Sequence, residues 1–143
     1  LRYYGKLYDL KGEVLEQRIT KLLSLVSLTG AEDTLAKNLS GGMKRRLDFA
    51  ISLIHDPPIL ILDEPTAGLD PIIKEQLWNL ITKLQSTGKT IIISSHLFED
   101  LQTHCSHIAI INKKQIVFQG NINTTLSRQN NWSLKKFFIE KIS

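Results

Sequence analysis

The chain has 143 residues, of which 42% are apolar and 22% charged, and it carries a net charge of +4. That size and composition suit one ordinary domain with a buried core and exclude a compositionally disordered chain. A single cysteine, Cys105, excludes an internal disulfide framework and suits a reducing compartment. Purely apolar runs are short, as in Ile59-Leu60-Ile61-Leu62, against the roughly 18–20 residues that a membrane span needs. The opening Leu1-Arg2-Tyr3-Tyr4 lacks the basic-then-apolar pattern of a signal peptide and has no initiator Met, so the expectation is a piece of a longer protein.

Residues 1–35 read as helical. Leu15, Ile19, Leu22, Leu23 and Val26 recur at three- and four-residue spacing, which gives one apolar face, and Gly30 is the expected stop. After the polar turn Asn38-Leu39-Ser40-Gly41-Gly42, a second helix is predicted from Met43 to Ile54, ending before Asp56-Pro57-Pro58. Its Lys44-Arg45-Arg46 run reads as a solvated helix face or as a nucleic-acid patch, with too few aromatics nearby for a stacking platform. Ile59 to Leu62 is apolar at every position, as for a strand covered on both faces. A helix from Ile72 to Leu84 carries Leu77, Leu80, Ile81 and Leu84 inward, and Thr90 to Ser94 reads as a second buried strand.

A short helix, Phe98 to Gln102, leads to a third strand, His107 to Ile111. Asn112-Lys113-Lys114 turns into a last strand, Gln115 to Gln119, closed by Gly120. Strand–helix–strand–helix–strand predicts a parallel sheet with right-handed crossovers. Asn121 to Asn131 reads as a polar linker, and Ser133 as the cap of a final amphipathic helix with Leu134, Phe137, Phe138 and Ile142. Asn123-Thr124-Thr125 and Asn131-Trp132-Ser133 match glycosylation acceptors, a use not expected without a secretion signal.

The chemistry concentrates at strand ends and at one glycine turn. Asp63 closes an apolar strand, where α/β sheets bind ligands, and its carboxylate can hold Mg²⁺ beside nucleotide phosphates. The neighbouring Glu64 is expected to point the other way, because side chains alternate along a strand, and so to face an attacking water. A helix-capping acid pair is the bland alternative. Gly41 and Gly42 let backbone approach an anion at a helix N-terminus, with Ser40 adding a hydroxyl, although such a turn is also a common helix start. Ala67-Gly68-Leu69-Asp70-Pro71 leads into the next helix, and His96 follows two serines at the end of the second strand.

In this order, without a gap, the set resembles the ATP-binding domain of ABC transporters over residues 1–120. Leu39-Ser40-Gly41-Gly42-Met43 resembles the ABC signature, with Met43 where Gln is usual. Ile59 to Glu64 resembles the Walker B strand, Ala67-Gly68-Leu69-Asp70 the D-loop, and Ser95-His96 the switch histidine. Ser40-Gly41-Gly42-Met43-Lys44-Arg45-Arg46 and the helix Leu134 to Phe138 look like exporters with an ABC-2-type membrane subunit.

The resemblance implies an α/β, incomplete P-loop NTPase-type fold. A helical signature subdomain (1-55) precedes a mainly parallel sheet with flanking helices and a C-terminal β-hairpin (56-120). A linker and an amphipathic helix follow (121-143). It implies ATP and Mg²⁺ as cofactors, and head-to-tail pairing with a second ABC ATP-binding domain. It also implies a transmembrane permease subunit or domain as partner, a cytoplasmic place on the inner face of the membrane, and no nucleic acid. Asp63 would support Mg²⁺, Glu64 would be the general base and His96 would contact the γ-phosphate. Ser40, Gly41 and Gly42 would reach the ATP bound to the partner, and Asp70 would carry information across the dimer. The implied function is ATP hydrolysis powering export. A non-transport ABC ATPase acting on ribosomes or DNA, or an inert remnant supplying only the signature in trans, remains open.

The family's phosphate loop, Gly-x₄-Gly-Lys-Ser/Thr, and its glutamine loop do not occur in residues 1–143. Gly88-Lys89-Thr90 mimics the end of a phosphate loop, but Lys83 stands where the first glycine belongs, and the segment joins a helix to a strand rather than the reverse. The expectation is that residues 1–143 alone bind ATP weakly and hydrolyse none.

Overall fold

Four short polar side chains start four of the helices. The Ser40 hydroxyl accepts from Met43 N at the head of α3 (Gly41–Ser52), and the Asp70 carboxylate accepts from Ile72 N and Ile73 N at the head of α4 (Pro71–Ser86). Asn121 accepts from Thr124 N ahead of α6 (Ile122–Ser127), and Ser133 from Lys136 N ahead of α7 (Leu134–Ile142). Each such cap satisfies an orphan backbone donor and contributes about 0.5–2 kcal/mol. The remaining elements are α1 (Arg2–Leu7), α2 (Gly12–Leu25), β1 (Ile59–Asp63), β2 (Thr90–Ser94), α5 (Phe98–His104), β3 (His107–Asn112) and β4 (Gln115–Asn121). The structure, a computed structural model, describes residues 1–128 and 133–143.

The helical stretch expected over residues 1–35 is broken twice. After α1, Asp9 N donates to Lys6 O and Leu10 N to Gly5 O, with Asp9 at φ 59°. After α2, Ser27 N donates to Ser24 O and Leu28 N to Leu23 O, with Ser27 at φ 55°. Both are Schellman closures built on non-glycine residues, so no glycine in the sequence marks them and Gly30 is not the stop. The Arg46 guanidinium adds Nη1–H bonds to Val26 O (3.2 Å) and Ser27 O (2.9 Å), tying α3 to the end of α2.

The chain forms two compact units, 1–62 with 68–93 and 63–67 with 94–143. In the first, Leu15, Leu22, Phe49, Leu53, Ile54, Leu77, Trp78 and Ile81 are buried. A Cβ at Gly5 would collide with the Leu15 side chain, so this glycine lets α1 lie against α2. Lys89 Nζ donates to Asp56 Oδ1 and Pro57 O, both at 2.8 Å, which fastens the start of β2 to the start of β1. That hydrogen bond, with Arg18 nearby, holds the Asp56 carboxyl below its ordinary range.

β1 pairs with β2. Thr90 N donates to Pro58 O at one end and Glu64 N to Ser94 O at the other, so both strands advance in the same sense. The expectation that β1 is covered on both faces fails: Ile59 is 55% exposed and Ile61 77%, while Leu60 and Leu62 are buried. The same holds for β2, where Ile92 is 52% exposed. Apolarity at every position records what a strand is suited to face, not what residues 1–143 place there.

The expected three-strand parallel arrangement is also corrected. Among the described residues β3 pairs with β4, antiparallel, and does not join β1 and β2. The turn, Lys113-Lys114, holds both lysines at positive φ (47° and 66°). A register shift falls between Ile110, opposite Phe118, and Ile111, opposite Ile116.

The second unit is built on a cluster of Ile110, Ile122, Leu126, Leu134 and Phe137. Phe118 meets Phe137 edge-on at 4.8 Å between ring centroids. Residues 122–127, expected as linker, are helix α6. Ile122 and Leu126, four apart, bury one face against the cluster although the other residues of the helix are polar. The end of that linker and the acceptor match Asn131-Trp132 lie outside the described residues.

Candidate functional site

Glu64 is the first residue beyond β1, and its backbone stands at φ 44°, in the left-handed region. For a residue with a Cβ this costs of order 1–3 kcal/mol and persists only where surrounding contacts impose it. Those contacts are visible. Glu64 N donates to Ser94 O (3.0 Å), and Glu64 O accepts from Ala67 N (3.2 Å), closing a turn with Pro65 and Thr66 at its centre. β1 ends at Asp63, one residue before Glu64. Both carboxylates meet the residues that close β2. Asp63 Oδ1 accepts from the Ser94 hydroxyl, and Glu64 Oε2 from the Ser95 hydroxyl at 3.4 Å.

The Glu64 carboxylate is also held by His96. Oε1 accepts from the His96 backbone N–H at 3.1 Å and lies 2.7 Å from His96 Nδ1. A carboxylate can only accept, so with Glu64 ionised the ring hydrogen sits on Nδ1 and Nε2 is turned away from the acid. The imidazole is 71% exposed, which leaves its far edge accessible to a ligand. Ser95 in turn accepts from Leu97 N (3.1 Å), fixing the backbone on which His96 rides.

Asp63 is an exposed carboxylate beside a hydroxyl, both hard oxygen donors. Mg²⁺ typically takes one or two protein carboxylates together with phosphate and water oxygens, and Asp63 fits that use. Among the described residues no group of three or more His, Cys, Asp or Glu side chains gathers as a metal cage.

The other predicted site residues lie in the first unit. Ser40 caps α3, and Gly41 and Gly42 are its first two residues. Neither glycine has positive φ. A Cβ on Gly41 would meet nothing within 4 Å, and one on Gly42 would make ordinary contact with Ile73 at 3.7 Å. Among the described residues no close contact requires glycine at either position. What two bare backbone positions at a helix N-terminus favour is close approach of an anion from outside. Asp70 is committed locally, with Oδ1 accepting from both Ile72 N and Ile73 N at 3.1 Å. The lysine of the false phosphate loop, Lys89, is occupied by Asp56 and Pro57.

A family model described as ABC transporter matches residues 6–67. The Nod factor export ATP-binding protein I of Cupriavidus metallidurans is 38% identical over 84% of this chain, which spans 40% of that relative. The chain is part of an ABC transporter ATP-binding domain. The corresponding protein of Sinorhizobium fredii is 36% identical over 90% of the chain and 38% of its own length. A solved ATP-binding subunit of an ABC transporter superposes with a TM-score of 0.81 over 98% of this chain and 61% of that one, at 22% identity, which speaks to fold alone. This stretch of ATP-binding domain thus spans well under half the length of the two Nod factor export relatives it matches.

Within it, the structure brings together Asp63, Glu64 and His96. Sequence reasoning missed Ser94 and Ser95, which meet Asp63 and Glu64, and the buried pair Thr66 and Asp100. The two serines before His96 are the available signal, since hydroxyls at a strand end facing an acid pair are ready donors. Asp100 lies 34 positions from Thr66 and carries no local signal.

Proposed function

We propose that this stretch supplies the water-activating half of one ATP site and the phosphate-facing glycine turn of another, in an ATPase that drives export through a membrane permease. The observation that carries this reading is the 2.7 Å contact between Glu64 Oε1 and His96 Nδ1, beside Asp63, at the ends of two paired strands. Glu64 acts as the general base, accepting a proton from the attacking water. His96 anchors that carboxylate through Nδ1–H, and its exposed edge stabilises the terminal phosphate when Nε2 carries a hydrogen as well. Asp63 would hold Mg²⁺, which supplies charge neutralisation at the phosphates. Ser40, Gly41 and Gly42 present hydroxyl and backbone donors to ATP held by a second domain, and Asp70 fixes the start of α4, whose Ile73 lies next to Gly42.

The export role is supported by the names of the relatives, both ATP-binding proteins of Nod factor export. Among the described residues no helix is long and apolar enough to cross a membrane. The path through the bilayer in this reading belongs to a permease subunit or domain, and the ATPase sits on the inner face of the membrane.

Gly41→Asp tests the head-to-tail arrangement. A Cβ at this position meets nothing within 4 Å, and an acid in the first turn of a helix is favoured by the dipole, so the fold is expected to be kept. Full-length protein carrying Gly41→Asp is expected to lose ATP turnover because the carboxylate repels the triphosphate. Mixing it with protein carrying Glu64→Gln leaves one intact composite site per mixed dimer and is expected to restore turnover. Two silent variants that stay silent when mixed, with dimers shown to exchange, would refute the shared site.

A further inference from the structure

We infer that Thr66 and Asp100 form a positioning bracket for Glu64, holding the base in its left-handed backbone conformation against His96. The inference rests on the reading of Glu64 as the general base. Thr66 is 2% exposed and Asp100 9%. The Thr66 hydroxyl donates to Asp100 Oδ2 at 3.3 Å across 34 residues.

The placement matters more than the bond alone. Thr66 follows Glu64 by two residues and sits in the turn that Ala67 N closes onto Glu64 O. Asp100 follows His96 by four residues, in the first turn of α5. The two catalytic loops are thus joined on the exposed side by Glu64 with Ser94, Ser95 and His96, and on the buried side by Thr66 with Asp100. The buried bond backs the backbone bonds of Glu64 N to Ser94 O and Ala67 N to Glu64 O in holding the turn that keeps Glu64 at φ 44°. With the buried bond gone, the turn can relax towards ordinary φ, and the carboxylate swings away from the imidazole and from any water aligned on it. Thr66 and Asp100 touch no reacting atom in this account; they act through Glu64.

The test uses the full-length ATPase. Thr66→Val keeps the shape and removes the donor, and Thr66→Ser keeps the donor and removes the methyl. Misplacing a catalytic group by about 1 Å can cost up to about 100-fold, so Thr66→Val is expected to lower kcat at least about tenfold. KM for ATP and equilibrium ATP binding should hold within about twofold, because the phosphate-binding groups are untouched, and Thr66→Ser should recover most of kcat. On a Glu64→Gln background Thr66→Val should add nothing further, since the base it positions is already gone. Thr66→Ala and Asp100→Leu provide second routes to the same loss should the valine variant fail to fold.

Normal kcat in Thr66→Val, beside a silent Glu64→Gln, would overturn the bracket and leave the base in place. A parallel loss of ATP binding, or no recovery with serine, would mark a merely structural role and overturn it as well. An active Glu64→Gln would remove the base reading, and the bracket with it.

Discussion

Glu64→Gln is expected to lower ATP turnover by about 10²–10⁴-fold while leaving ATP binding nearly unchanged. The substitution keeps the shape of the side chain. The amide oxygen can still accept from the His96 backbone N–H and from Nδ1, the two donors that now meet Oε1 at 3.1 and 2.7 Å. What it loses is the ability to take a proton from water. Phosphate release measured beside equilibrium ATP binding separates the two. Turnover within about threefold of the unaltered protein would remove Glu64 as the base, whatever its contacts.

The second large effect concerns residues 1–143 by themselves. Isothermal titration with Mg-ATP is expected to give a Kd weaker than about 1 mM, equivalent to less than about 4 kcal/mol of binding. Most affinity for a nucleoside triphosphate in P-loop enzymes comes from a cradle of backbone N–H groups and one lysine on the phosphates. No Gly-x₄-Gly-Lys-Ser/Thr occurs in the chain, and Lys89, whose local sequence mimics one, is spent on Asp56 and Pro57. Asp63, Glu64 and His96 contribute two acids and one imidazole, a set that repels a triphosphate as much as it attracts one. Micromolar affinity in a sample shown by circular dichroism to be folded would overturn this expectation.

Much of the frame was legible because its signals are local. Ser40, Asp70 with Pro71, and Ser133 announce helix starts through side chains that reach only two or three residues ahead; Ser133 caps as read, and Ser40 and Asp70 cap helices read as starting just after them. The motif order around Ser40, Asp63 and His96 pointed to a shared chemistry before any contact was known. Three other features were not legible. Asp9 and Ser27 end helices without glycine because the Schellman closure is imposed by the bonds around them. Asn121 hides a helix because Ile122 and Leu126 find cover only once β3 and β4 have paired. The left-handed backbone of Glu64 is set by bonds to Ser94 and Ala67, which periodicity has no means of showing. Thr66 with Asp100 is the limiting case, since a bond across 34 residues leaves no trace in local pattern.

The Lys113-Lys114 turn opens a route to engineering. Positive φ at both central residues is the mark of a type I′ hairpin, a handedness that Asn-Gly adopts readily and lysine resists by roughly 1–2 kcal/mol per residue. Replacing the pair by Asn-Gly should therefore raise the melting temperature of the protein without touching Glu64 or His96, giving a sturdier background on which damaging variants can be purified and assayed.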